Sequence, residues 1–133
     1  MNILVVEDDI SFAQYITELV EGWNHKVERA SSGKDALKRI EQSSFDLVLL
    51  DLLLPDIPGY ELIPRFKKVF PDIPIVAMTG SNSRELEMKV RENGILYYMI
   101  KPFQTEDLKS LLEHLSQKHS ERIESETQFQ FRK

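Results

Sequence analysis

Apolar residues along the chain fall into short runs separated by longer stretches with helical spacing. Five runs are rich in β-branched and aliphatic residues: Ile3–Val6, His25–Arg29, Phe45–Leu50, Ile73–Met78 and Ile95–Ile100. Four of them are almost unbroken in hydrophobicity, as expected of parallel strands covered on both faces. The second alternates and carries Glu28 and Arg29, which suits the edge of a sheet.

Between the runs the period changes from strand-like to helical. Phe12, Ile16, Leu19, Val20 and Trp23 share one helical face, and Gly22 lies near its end. Ala36, Leu37 and Ile40 mark a second helix with Ser32 as its N-cap. Leu62, Ile63, Phe66, Val69 and Phe70 mark a third, opened by Pro58-Gly59. Pro64 falls inside it and predicts local irregularity, because proline removes a backbone donor. A fourth helix over Arg84–Glu92 has Leu86 and Val90 as its stripe, Met88 off it, and Asn93-Gly94 as its end. Leu108, Leu111, Leu112 and Leu115 give the fifth a strong stripe, entered through Thr105-Glu106-Asp107. This alternation predicts a (βα)5 parallel sheet with helices on both faces. Beyond Gln117 the apolar rhythm fades, with Ile123, Phe129 and Phe131 the large apolar residues of the tail. The expected division is a domain over residues 1–118 and a polar tail over 119–133, either a helical extension or the start of a linker.

Composition narrows the function classes. A chain of 133 residues fits one domain. With 22 acidic and 17 basic residues its formal charge is -5, so a surface for nucleic acid is not expected. Cysteine is absent, which removes disulfides and thiolate metal sites. No apolar stretch approaches the ~20 residues needed to span a bilayer, and Ile3 to Val6 follow Met1-Asn2 with no basic residue before them. The expected location is cytoplasmic.

The polar residues at the strand ends carry the chemistry. Glu7-Asp8-Asp9 follows the first run, Asp51 the third, Thr79 the fourth and Lys101 the fifth. In an open parallel α/β sheet, ligands bind beyond the carboxyl ends of the strands. Carboxylates, a hydroxyl and an ammonium are therefore expected to converge there. Clustered carboxylates repel one another, so a divalent cation is the natural guest, and hard oxygen ligands point to Mg²⁺ or Mn²⁺. An aspartate can attack phosphorus to give an aspartyl phosphate. The metal, Lys101 and the Thr79 hydroxyl would then neutralise the equatorial oxygens.

The stretches Ile3-Leu4-Val5-Val6-Glu7-Asp8, Leu49-Leu50-Asp51-Leu52-Leu53-Leu54-Pro55 with Gly59, Ala77-Met78-Thr79-Gly80, and Lys101-Pro102-Phe103, in this order, carry a resemblance. From Met1 to about Lys118 the sequence resembles the receiver domains of bacterial two-component response regulators. The resemblance implies a flavodoxin-like sheet with strand order 2-1-3-4-5. It makes Asp51 the phosphoacceptor, Glu7 and Asp8 the acidic metal pair, and the Leu53 backbone carbonyl a further metal ligand. Thr79 corresponds to the switch hydroxyl and Lys101 to the lysine that contacts the phosphoryl group. Gly80 corresponds to the small residue that admits it, and Tyr98 to the aromatic coupled to Thr79. Lys101-Pro102 corresponds to a cis peptide.

It further implies a phosphoacceptor rather than an enzyme, at most phosphorylating itself from small donors and losing the group again. The expected donor is a histidine kinase or phosphotransfer protein. The expected listener is a downstream protein at the face of the fourth helix, fifth strand and fifth helix, reached through the Gly80–Ser83 loop. Homodimer formation stays open; Leu96-Tyr97 before Tyr98 and the run Thr105–Leu112 depart from the acidic and basic pattern of winged-helix relatives. The alternatives are a receiver cut from a larger regulator or hybrid kinase, and an Asp-nucleophile phosphohydrolase of the haloacid dehalogenase type. The latter needs a second Asp two residues after the nucleophile, where Leu53 stands. His25, His114 and His119 are scattered and expected to be exposed.

Overall fold

The computed structural model describes residues 1–81 and 83–131, and side chains up to Ser125 apart from residue 82. Asn82 of the expected switch loop, and the side chains of Phe129 and Phe131, lie outside the described residues. In order, the elements are β1 (Asn2–Val6), α1 (Ile10–Gly22), β2 (Lys26–Ala30), α2 (Gly33–Gln42) and β3 (Leu47–Asp51). They continue with α3 (Gly59–Val69), β4 (Ile75–Thr79), α4 (Arg84–Glu92), β5 (Tyr97–Ile100) and α5 (Thr105–Phe131). All four strand pairings are parallel and the order is β2-β1-β3-β4-β5. This is the flavodoxin-like order expected, with the polar β2 on an edge.

Every residue of β3 and β4 is buried, which is why those runs read as continuous. One core layer joins Leu4, Val6, Val48, Leu50 and Ala77 to Ala36, Ile40, Leu62, Ile63, Phe66 and Val90, so α2, α3 and α4 cover one face. The other joins Ile3, Val5, Leu47, Leu49, Val76, Met78 and Met99 to Ile16, Val20, Leu108 and Leu112, placing α1 and α5 on the opposite face. Each fully buried Leu or Ile contributes roughly 1.5–3 kcal/mol relative to exposure.

Local chemistry sets the helix ends. Asp9 accepts the Phe12 N–H at 3.1 Å, Ser32 that of Asp35 at 3.1 Å and Ser83 that of Leu86 at 3.2 Å. Each is an N-cap that satisfies a first-turn donor. α4 closes through Asn93 onto Gly94 at φ 82°, a left-handed conformation that glycine adopts freely. Gly59 is required for a different reason: a Cβ there would stand 2.7 Å from Leu52 Cα.

The structure bears on three of these expectations and corrects the last. α3 runs on through Pro64, whose missing donor does not end the helix. Its own side is exposed while Leu62, Ile63 and Phe66 are buried, so packing of the apolar face outweighs one missing donor. Of the two forms open for the residues beyond 118, the helical extension is the one found: α5 continues to Phe131, although among the described residues its apolar contacts with the core stop at Leu115. His25 and His119 are partly buried rather than exposed. His25 Nδ1 meets the Met1 amine at 3.1 Å, and His119 lies 3.6 Å from Asp46.

Candidate functional site: an acidic rim beside a lysine

Parallel pairing brings the ends of β1, β3, β4 and β5 to one edge of the sheet. β1 delivers Glu7 and Asp8, and the Glu7 N–H donates to the Ala30 carbonyl at 3.0 Å. β3 ends on Asp51, β4 on Thr79, and the Lys101 N–H donates to the Thr79 carbonyl at 2.7 Å. Carboxylate oxygens of Glu7, Asp8 and Asp51 lie within 4.8 Å of one another. Lys101 Nζ donates to Glu7 Oε1 at 2.8 Å and stands 3.5 Å from Asp51 Oδ2. Residues separated by up to 94 positions in the chain thus share one rim.

Burial differs sharply within the cluster. Glu7 is 2% exposed and Asp51 6%, while Asp8 is open to solvent. Desolvation is the main cause that pushes Glu7 up from its ordinary 4.5 to about 8. The neighbouring Asp51 raises it further, and Lys101 opposes both. Glu7 Oε2 is buried without a hydrogen-bond partner. An orphaned buried oxygen beside two more carboxylates is a donor set for a hard divalent cation, which would supply the positive charge that one lysine does not.

The remaining predicted residues take distinct positions. Asp51 Oδ1 accepts the Leu53 N–H at 3.1 Å, and the Leu53 side chain is 54% exposed. Thr79 is fully buried, and its Oγ1 accepts the Ser81 N–H at 3.0 Å. The Lys101–Pro102 peptide is cis. Gly80 is exposed, and a Cβ there would meet nothing within 4 Å. Tyr98 packs against the α2–α3–α4 core layer with its hydroxyl buried and unpartnered. Burial, then Glu87, raises that phenol above its ordinary range.

Two contacts were not anticipated from the sequence. Asp56, in the loop after β3, accepts the N–H groups of Gly33 and Lys34, each at 2.9 Å. These donors hold its carboxyl below the usual range and tie the loop to the start of α2. The Phe12 ring lies 4.1 Å from Lys101 Nζ. A carboxylate after Pro55 and an aromatic in an apolar stripe give no one-dimensional sign of either contact. A cavity of about 730 Å³ opens elsewhere, lined by Phe45, Phe70, Ile73, Ile95 and Leu115, and none of the clustered carboxylates lines it.

A family model described as the response regulator receiver domain matches residues 3–113. The chain is 35% identical over 127 residues to the transcriptional regulatory protein ZraR of Escherichia coli K12, covering 96% of this chain and 29% of that protein. It is 32% identical over 112 residues to the DNA-binding transcriptional regulator NtrC of Azospirillum brasilense, covering 84% of this chain and 23% of that protein. The chain therefore spans less than a third of the length of these relatives. A CheY-like response regulator receiver domain protein from Methanospirillum hungatei superposes with a TM-score of 0.83 at 30% identity, covering 90% of this chain and 97% of that one. Because the family match runs from β1 into α5, it takes in every element that carries the rim, and the chain belongs to the response regulator receiver domains of two-component signal transduction.

Proposed function

We propose that this receiver accepts a phosphoryl group on Asp51, with Mg²⁺ or Mn²⁺ held by Glu7, Asp8, Asp51 and the Leu53 carbonyl. The observation that carries the reading is the meeting of three carboxylates within 4.8 Å beside an ammonium 3.5 Å from Asp51. Phosphorylation and Mg²⁺ binding are general in this family, which supports the assignment. Bound there, the cation would neutralise charge on the transferring group.

The chain's own groups supply the rest. An Asp51 oxygen attacks phosphorus in line, an O–P bond forms, and the P–N bond of a phosphohistidine breaks as imidazole leaves. Lys101, already oriented toward Asp51, binds an equatorial oxygen. The space beside Gly80 leaves room for the incoming group. The added charge of about -1.5 to -2 draws Thr79 and Lys101 inward. For Thr79 this means giving up its bond from the Ser81 N–H, which carries the change into the loop before α4. Tyr98 then has a reason to move, since its buried hydroxyl has no partner where it stands.

The donor in this reading is a histidine kinase or phosphotransfer protein, and the chain is an acceptor rather than an enzyme. The downstream protein meets the α4–β5–α5 face, where Met88, Tyr97 and Ile100 are exposed apolar residues. Residues 1–118 form the receiver unit, and α5 continues beyond them to Phe131.

The experiment is incubation with Mg²⁺ and acetyl phosphate or phosphoramidate, followed by intact mass. The expected result is a gain of one phosphoryl group in the wild-type chain and none in Asp51→Asn. Equal labelling of the Asp51→Asn chain would overturn the assignment.

A further inference from the structure

Lys101 Nζ has three donors and, in this structure, three neighbours. Two are Glu7 Oε1 at 2.8 Å and Asp51 Oδ2 at 3.5 Å. The third is the Phe12 ring, whose centroid lies 4.1 Å away. That separation is well inside the ~6 Å over which a ring face attracts a cation. The lysine side chain is only 19% exposed, so the ring stands where water would otherwise solvate the ammonium.

The ring is itself held from several sides. Phe103 meets it edge to face, with centroids 6.2 Å apart and planes at 86°. Tyr15 lies at 6.2 Å on the same helix, and its hydroxyl bonds Thr105 Oγ1 at 3.0 Å. Asp9 caps the helix at the Phe12 N–H. The first turns of α1 are thereby fixed to the Lys101–Thr105 segment, and the ring face cannot turn away without losing these contacts. Leu or Ile in this place would cover similar apolar area but offer no negative face to an ammonium.

We propose that Phe12 is a positioning residue for Lys101. Its ring face replaces water on the solvent side of the ammonium and keeps the charge aimed at Asp51 before a phosphoryl donor arrives. The inference rests on the reading of Asp51 as the acceptor. Phe12 acts through Lys101 and makes no contact with the reacting atoms.

The test measures phosphorylation from phosphoramidate at saturating Mg²⁺ in the full chain, so that docking of a partner protein does not enter. The variants are Phe12→Leu, Phe12→Tyr, and the chain carrying 3,4,5-trifluorophenylalanine at position 12. The fluorinated ring keeps the shape of phenylalanine and removes the negative face. Expected are rates lowered about 3- to 30-fold for the leucine and trifluoro chains and within about twofold of wild type for tyrosine. Mg²⁺ affinity should be equal in all four chains, because the ring touches none of the carboxylates proposed to bind the ion. In the unphosphorylated protein, the Lys101 ε-methylene protons should show an upfield ring-current shift that the leucine variant loses. A trifluoro chain that reacts as fast as wild type would sink the proposal while leaving the acceptor reading intact. A wild-type chain that takes up no phosphoryl group would remove the acceptor reading, and this proposal with it.

Discussion

Glu7→Gln should stabilise the metal-free protein, and by more as pH rises. Glu7 has its carboxyl raised from 4.5 to about 8, mainly by burial. Below pH 4.5 the group is protonated in both folded and unfolded chains and costs nothing. Between pH 4.5 and 8 the unfolded chain releases the proton while the folded one keeps it, so stability falls as pH rises and levels off above 8. The cost works out at about 1 kcal/mol at pH 5, about 3 kcal/mol at pH 7 and about 4 kcal/mol at pH 8. Glutamine keeps the shape and can still accept from Lys101, and because Glu7 Oε2 already lacks a partner the amide adds little new penalty. For a chain of this size about 3 kcal/mol corresponds to roughly 10 °C in Tm. The assay is thermal unfolding of wild type and Glu7→Gln in EDTA from pH 5 to 8; taking the difference removes the titrating groups that do not interact with Glu7. Saturating Mg²⁺ should narrow the gap: at a hundredfold excess over Kd it stabilises wild type by about 2.7 kcal/mol, and the variant by less. A difference that stays flat across this pH range, or a variant less stable than wild type in EDTA at pH 7.5, would refute the reasoning.

Three further outcomes follow from the geometry around the rim. Gly59→Ala places a Cβ 2.7 Å from Leu52 Cα; since backbone cannot yield as a side chain can, denaturant unfolding should show a loss of about 1–3 kcal/mol. Asp56→Ala removes the acceptor for two N–H groups at the start of α2 and should cost about 0.5–2 kcal/mol by the same measurement, while Asp56→Asn retains part of it. Leu53→Asn replaces an exposed apolar side chain next to the proposed acceptor with one that orders water. The phosphoryl group should then be lost about threefold faster or more, and an unchanged half-life by intact mass would reject that role.

What one dimension could and could not carry is clear from particular residues. β3 and β4 were legible because burial on both faces keeps them apolar up to their last residues, Asp51 and Thr79, and the polar β2 marked an edge. The cap at Ser32 was legible because a side-chain acceptor at a helix start acts within three residues. Pro64 does not end α3 because its effect is local, whereas the buried face of Leu62, Ile63 and Phe66 is set by partners far away in sequence. The extension of α5 to Phe131 stayed one of two alternatives: among the described residues no apolar core contact beyond Leu115 imposes a stripe, so hydrophobicity does not separate helix from linker there.

The rim was readable for a different reason. Parallel strands that start at one edge must end at the other, so a polar residue directly after each run can only be brought together with its counterparts. Topology therefore converts sequence position into proximity for Glu7, Asp8, Asp51, Thr79 and Lys101. It does not convert position into orientation. Whether a side chain faces its neighbour depends on contacts such as Phe12 on Lys101 or Leu53 N–H on Asp51, which no periodicity encodes. The same limit applies to charge. Glu7 and Asp8 are adjacent acids in the sequence, yet one is 2% exposed and the other faces solvent. The buried one combines a raised pKa with an unpartnered oxygen. It follows that the two acids should contribute unequally to cation binding: Glu7 gains partners it lacks, whereas Asp8 must exchange water it already has.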